Sequence, residues 1–224
     1  MIGWFVTGTD TGVGKTHVST ALARRARHLG ARVFAFKPVE TGCTGLGSDQ
    51  RALVEAAGSW QRGEQCALYS FAQPVAPKVA AESEGVTLDL DRICSAVHSG
   101  SGTADFTIVE GAGGWRVPLT ETQDIASLAR ALALPVLVVA RAGLGTINHS
   151  LLTIEAAERD GCRVGALVLS VLPSDSEVLS QSNAVEIGRR WPGRIVLLQS
   201  DPAVLDSLCS TWNTTSVRSL PATE

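Results

Sequence analysis

Short apolar runs rich in β-branched and aromatic residues recur at 3–7, 32–37, 106–110, 136–140, 164–170 and 194–198. Helical periodicity fills most of the intervals, at 15–29, 50–57, 89–98, 124–132, 147–159 and 176–190, and two of these stretches have N-terminal punctuation of Asp or Thr able to cap free backbone N–H groups. Strand and helix alternate, so the pattern predicts an α/β fold with a mostly parallel central sheet and helices on both faces. In such sheets ligands bind beyond the carboxyl ends of the strands, and the residues just after each run are where chemistry is to be sought. No internal repeat, low-complexity run or Pro-rich linker divides the chain, and residues 1–224 are expected to form one domain. Ser99-Gly100-Ser101-Gly102 reads as a flexible surface loop.

Composition narrows the function classes. Hydrophobic residues make up 45% and charged residues 18%, which excludes a disordered chain. Lys plus Arg number 19 against 22 Asp plus Glu, a net charge of −3, so the basic excess of a nucleic-acid binder is missing and no nucleic-acid partner is expected. The longest apolar stretches, such as the one ending in Leu134-Pro135-Val136-Leu137-Val138-Val139-Ala140, are broken by charge or Pro before bilayer-spanning length, so no membrane partner is expected. Met1-Ile2-Gly3-Trp4-Phe5-Val6 has no positive flank and runs into a glycine-rich loop; it reads as a strand rather than a signal peptide, and a cytoplasmic location is expected. Cys43, Cys66, Cys94, Cys162 and Cys209 form an odd set without a CxxC pair or a nearby His at metal spacing, and read as reduced bystanders.

The first strand leads into Gly8-Thr9-Asp10-Thr11-Gly12-Val13-Gly14-Lys15-Thr16, followed by a helix. This is a phosphate loop: its glycines let backbone N–H groups converge on phosphate oxygens, the helix dipole adds to the attraction, Lys15 neutralises charge and the Thr16 hydroxyl suits Mg²⁺. The first glycine stands one residue earlier than in the strict pattern, as in the deviant branch of P-loop NTPases, the MinD and ParA kind. The second strand ends in Phe36-Lys37-Pro38-Val39-Glu40-Thr41-Gly42. With only Lys15, Lys37 and Lys78 against sixteen Arg, Lys37 is either an ordinary strand-terminal charge or an ammonium placed for phosphate or carboxylate.

Two carboxylates can complete a magnesium site. Glu110 ends a hydrophobic strand and precedes Gly111-Ala112-Gly113-Gly114, where backbone and ligand can approach closely. Asp49, in Gly47-Ser48-Asp49, is either a ligand or a helix N-cap. A further glycine-containing strand exit, Gly143-Leu144-Gly145-Thr146-Ile147-Asn148-His149, opens a helix whose free N–H groups could hold an anion, or is a plain connection capped by Thr146. His149 receives no role, and Trp60, Trp115, Trp191 and Trp212 read as packing or surface aromatics.

Taken together and in order, the phosphate loop, Lys37-Pro38-Val39-Glu40-Thr41-Gly42, Ser48-Asp49, Val109-Glu110-Gly111-Ala112-Gly113-Gly114-Trp115 and Leu144-Gly145-Thr146-Ile147-Asn148-His149 resemble the dethiobiotin synthetase family over most of the chain. The resemblance implies an ATP-dependent ligase of biotin synthesis that works as a homodimer. It would join 7,8-diaminononanoate and CO₂ into a cyclic urea through a carbamate and a carbamic-phosphoric anhydride, with Mg²⁺ and ATP as co-substrate. It further implies nucleotide binding by Gly12, Val13, Gly14, Lys15, Thr16, His17, Asp49, Glu110, Gly111, Ala112 and Gly113. Thr16, Asp49 and Glu110 would surround the metal. Lys37, Lys15 and Thr11 would act in the chemistry. Substrate would be bound by Thr11, Lys37 and Thr41, and by Gly145, Thr146, Ile147 and Asn148 contributed across the dimer.

The sequence departs from the family pattern at three places. Gly12 stands where some relatives carry Glu, which removes a charge but no backbone donor. Ser170 stands where many have an Asn that reads adenine, so nucleotides other than ATP are also expected to serve. Leu197-Leu198-Gln199-Ser200-Asp201-Pro202 lacks the usual Gly-x-Ile-Pro. Two rival readings are a MinD/ParA-like regulatory ATPase, which usually carries Lys where Asp10 stands, and the ATP-binding half of a cobyrinate-type amidotransferase, whose glutaminase domain 224 residues leave no room for.

Overall fold

The structure, a computed structural model, describes residues 1–209; Trp212 and the rest of the tail after Cys209 lie outside the described residues. Six strands, β1 (Gly3–Gly8), β2 (Val33–Phe36), β5 (Phe106–Gly114), β6 (Val136–Arg141), β7 (Val164–Ser170) and β8 (Arg194–Leu198), form one sheet in the order β2-β5-β1-β6-β7-β8. Every pairing in it is parallel, as the alternation of strand and helix predicts. Two strands of three residues, β3 (Val39–Thr41) and β4 (Tyr69–Phe71), pair parallel in a small separate sheet that the hydrophobic pattern does not reveal.

The helices are α1 (Lys15–His28), α2 (Ser48–Ala56), α3 (Pro77–Ser83), α4 (Leu90–Ser101), α5 (Ile125–Leu132), α6 (Thr146–Arg159), α7 (Glu177–Gly188) and α8 (Asp206–Cys209). Successive strand residues face opposite sides, and the core divides accordingly. Trp4 and Val6 pack with Val18, Leu22, Leu53 and Leu208 from α1, α2 and α8. Phe5 faces the other layer, built on Ile93, Val97, Leu128, Ile154 and Ile187 from α4 to α7. In α1 the buried Val18, Leu22 and Ala26 recur every fourth residue, and Arg25, Arg27 and His28 oppose the negative end of its dipole. Asp89 and Asp124 cap α4 and α5 through their side chains, the former accepting from the N–H groups of Asp91 and Arg92, the latter from that of Ser127.

The 99–102 stretch differs from expectation. Ser99, Gly100 and Ser101 are the last turn of α4, and Gly100 is buried where a Cβ would come within 2.3 Å of the Phe34 ring. Glycine permits helix and sheet to touch there, which outweighs its poor helix propensity. Of the tryptophans, Trp115 and Trp191 are buried and donate to Asp160 and Glu158, while Trp60 carries the Arg32 guanidinium over its ring. They are packing residues, in keeping with their sequence reading. All five cysteines are free thiols, and burial pushes the Cys209 thiol up to about 12, far from a reactive thiolate.

Candidate active site

The carboxyl ends of β1, β2 and β5 converge because β5 lies between the other two, pairing Phe36 with Val109 and Val6 with Glu110. One residue beyond β2, Lys37 therefore sits beside Glu110, and the phosphate loop that follows β1 lies against both. A cavity of about 710 Å³ opens over this point. Thr11, Gly12, Gly14, Lys15, Thr16 and His17 line it from the loop, Lys37, Thr41 and Asp49 from β2 to α2, and Ala112 and Gly113 from the end of β5. Pro74, Val75, Ala76, Pro77 and Val117 close it with an apolar wall.

The loop has the backbone of an anion cradle. Gly14 takes φ +98° at the N-cap of α1, and a Cβ on it would stand 2.7 Å from the Ser170 Oγ. Glycine is required there on both counts. Ser170 is buried at the end of β7 behind this turn rather than facing an open groove. Val13 is buried in the core beneath the loop and Gly111 packs against Ile125, so only their backbones remain for ligand contact.

Thr16, Lys37 and Asp49 at the floor of the cavity form one cluster with Glu110, which is buried beneath them. The Lys37 Nζ donates to Asp49 Oδ2 at 2.5 Å and to Glu110 Oε1 at 3.1 Å, and the Thr16 hydroxyl donates to the same Glu110 oxygen at 2.8 Å. Glu110 is fully buried, and its Oε2 has no partner. Burial alone pulls Lys37 down, but Glu110 and Asp49 outweigh it and the ammonium is held above its ordinary 10.5. Asp49 is held below 3.8: burial raises it, and the Lys37 charge and hydrogen bond, with help from Thr16, more than reverse this. Lys15 is shifted down, burial prevailing over the attraction of Glu110, and its Nζ donates to the Asp10 carbonyl at 2.9 Å within its own loop.

Thr16, Asp49 and Glu110 are hard oxygen donors around one point, and an unpartnered buried carboxylate oxygen is a place for a cation, so the residues fit Mg²⁺ with water and phosphate oxygens completing its shell. Asp49 is not the N-cap of α2. Gly47 holds that position, and the free N–H groups of Asp49 and Gln50 are taken by the buried Glu40 carboxylate at 3.0 and 2.8 Å. Sequence reasoning passed over Glu40; the available signal was an acid just after a strand, seven residues before a helix start that has glycine instead of a capping side chain.

Gly145, Thr146, Ile147 and Asn148 are not brought to this cavity. Gly145 is the N-cap of α6 with φ +90°, Thr146 is buried and its hydroxyl pairs with Ser150, and Asn148 is exposed. Thr146 is thus the first helical residue and not the cap.

A family model described as an AAA domain matches residues 3–221. The chain is 47% identical over 190 residues to the ATP-dependent dethiobiotin synthetase BioD of Anaeromyxobacter dehalogenans (strain 2CP-C), covering 84% of this chain and 85% of the relative. It is 40% identical over 210 residues to the enzyme of the same name from Pseudomonas aeruginosa, covering 89% and 91%. Among solved structures, the MinD cell division protein of Aquifex aeolicus superposes with a TM-score of 0.54 over the full length of both chains at 12% identity. That likeness shows the fold alone, that of the MinD-like P-loop NTPases.

Proposed function

This chain belongs to the ATP-dependent dethiobiotin synthetase family, and from that premise we propose how its site performs the reaction. The activity is that of a ligase: a carbamate formed from one amine of 7,8-diaminononanoate and CO₂ attacks the γ-phosphorus of ATP. ADP leaves, and a carbamic-phosphoric anhydride forms. The second amine then attacks the carbonyl carbon, the ring closes as a cyclic urea, and phosphate departs. No enzyme nucleophile is needed; the protein's tasks are positioning and charge neutralisation.

The observation that carries the assignment of roles is the meeting of Lys37, Thr16, Asp49 and Glu110 at the floor of one cavity whose rim is the phosphate loop. Backbone N–H groups of 12–17 and the Lys15 ammonium hold the β- and γ-phosphates, Lys15 leaving the Asp10 carbonyl to do so. Lys37, kept charged by its two carboxylates, faces the carbamate and the transferring phosphoryl group, where negative charge accumulates. Thr11 and Thr41, both on the cavity wall, are placed to orient the carbamate. Ala112 and Gly113 offer backbone without bulk. Thr16, Asp49 and Glu110 would hold Mg²⁺, which would supply charge neutralisation on the phosphates. The apolar wall of Pro74, Val75, Pro77 and Val117 suits the aliphatic chain of the substrate.

The turn Gly145–Asn148 lies outside the cavity, which accords with its serving the site of a second copy. Leu144, 95% exposed, and Leu152, 57% exposed, flank that turn as apolar surface for such a dimer. We assign the function to residues 1–224 acting as one unit in the cytoplasm, in keeping with five free thiols. Among the described residues no helix is long and apolar enough to cross a membrane.

The test is phosphate release by the purified protein with Mg-ATP and bicarbonate, with and without 7,8-diaminononanoate. Release that requires the diamine supports the reading; release indifferent to it overturns the substrate.

A further inference from the structure

Asp49 reaches the cavity floor from the first turn of α2, and that turn has no capping side chain of its own because its N-cap is Gly47. The cap comes from elsewhere. Glu40, 6% exposed at the centre of β3, accepts from the Ser48 hydroxyl at 3.3 Å and from the backbone N–H groups of Asp49 and Gln50. A Cβ on Gly47 would stand 2.2 Å from the Glu40 Cδ, so the glycine is there to admit the carboxylate and not for a special backbone, its φ of −67° being ordinary. Gln50 completes the grip: its side-chain amide donates to the carbonyls of Lys37 and Tyr69, and its oxygen accepts from Gly47 N–H and the Ser70 hydroxyl. The Glu40 carboxylate therefore fixes the backbone of Asp49, whose side chain meets Lys37.

We propose that Glu40 is a positioning residue for the metal and phosphoryl site: by gripping the start of α2 through the space left at Gly47, it holds the Asp49 carboxylate in place to share the cavity floor with Lys37, Thr16 and Glu110. This rests on the proposed role of Asp49. Glu40 borders the cavity, but both its carboxylate oxygens are engaged by α2, Oε1 by the Ser48 hydroxyl and the Asp49 N–H and Oε2 by the Gln50 N–H, so the role inferred for it is exerted through Asp49. Groups that fix a metal ligand in this way are typically worth about 10–100-fold in metal affinity.

The experiment uses the full chain and four variants: Glu40→Ala, Glu40→Gln, Gly47→Ala and Glu40→Ala/Gly47→Ala. Binding of Mn²⁺ with a non-hydrolysable ATP analogue is measured by calorimetry, and amide exchange is followed over 47–51. In Glu40→Ala the metal concentration for half-saturation rises about tenfold or more while metal-free nucleotide binding changes little. Exchange at Asp49 and Gln50 quickens while the sheet strands stay protected, which a global loss of stability would not produce. Gly47→Ala, which pushes the carboxylate away, has the same effect, and the double variant equals Glu40→Ala rather than compounding it. Glu40→Gln keeps the volume and one acceptor, falls between, and answers the question if Glu40→Ala does not fold. Metal affinity and local exchange like wild type in Glu40→Ala or Glu40→Gln, or a harmless Gly47→Ala, overturns the proposal. Because wild-type turnover with diamine is measured separately, a failed substrate assignment is distinguishable from a failed role for Glu40.

Discussion

Thr16 and Glu110, separated by 94 residues, are joined by a hydrogen bond of 2.8 Å that ties the phosphate loop to the middle of strand β5. The bond uses only one carboxylate oxygen, and the other, buried and without a partner, is the strongest indication of where a cation belongs. Both side chains are held by rigid elements, the start of α1 and strand β5, so in the proposed mechanism the pair would join nucleotide to metal.

Replacing Glu110 by Gln keeps the volume and the Thr16 bond but removes the charge. The Mg²⁺ concentration supporting half-maximal turnover should rise at least about tenfold, the loss typical even for groups that merely support a metal ligand. A magnesium titration of phosphate release checks this, and an unchanged curve would make the carboxylate purely structural.

Lys37→Ala should lower turnover by about 10²–10³-fold with a modest loss of nucleotide affinity, because in the proposed mechanism its ammonium faces the oxygens that gain charge in the transition state. The structure adds a consequence: without Lys37 the Asp49 and Glu110 carboxylates lose the cation between them, so bound metal should stabilise this variant against heat more than it stabilises wild type. Single-turnover kinetics and thermal unfolding with and without Mg²⁺ measure the two effects; near-normal turnover would remove Lys37 from the mechanism.

Asp124 gives a pH dependence remote from the site. Burial raises its carboxyl, but the Ser127 backbone N–H and hydroxyl and the Arg116 guanidinium outweigh this and hold it below the ordinary 3.8. A depressed folded value means that the ionised cap contributes stability above the unfolded value and loses it as pH falls through the folded one. Asp124→Ala should cost about 1 kcal/mol at neutral pH, the usual worth of an N-cap. Asp124→Asn can still cap but cannot titrate, so its stability difference from wild type should shrink as pH drops below 3.8. Urea unfolding over a pH series reads both.

The six strands of the main sheet and the six helical stretches anticipated from the sequence all form, the strands as apolar runs buried on both faces of the sheet and most helices through one buried stripe, while α7 buries Ser180 and Asn183 beside Ile187. What stayed hidden depends on contacts between distant residues. β3 and β4 are too short to show alternation and exist only by pairing with each other. Gly100 reads as a breaker until Phe34 is seen lying against it. Lys37 and the loop were legible because they follow strand ends in a parallel sheet, and Glu110 because an acid interrupts an apolar strand just before glycines, whereas Asp49, in the first turn of α2, could be read equally as a helix cap. Glu40 was not, since its partners are backbone N–H groups of another element, and hydrogen bonds to backbone leave no residue pattern. The turn at Gly145 was legible as a motif, yet a single chain brings it to no cavity with the loop.

In the proposed mechanism a carbamate oxygen attacks the γ-phosphorus and leaves with phosphate when the ring closes. Turnover with ¹⁸O-labelled bicarbonate, ATP and 7,8-diaminononanoate, analysed by mass spectrometry, tests it directly. One labelled oxygen in the released phosphate, in step with formation of the ureido product, is the predicted result. Released phosphate with no labelled oxygen, or phosphate released without that product, would contradict the proposed mechanism.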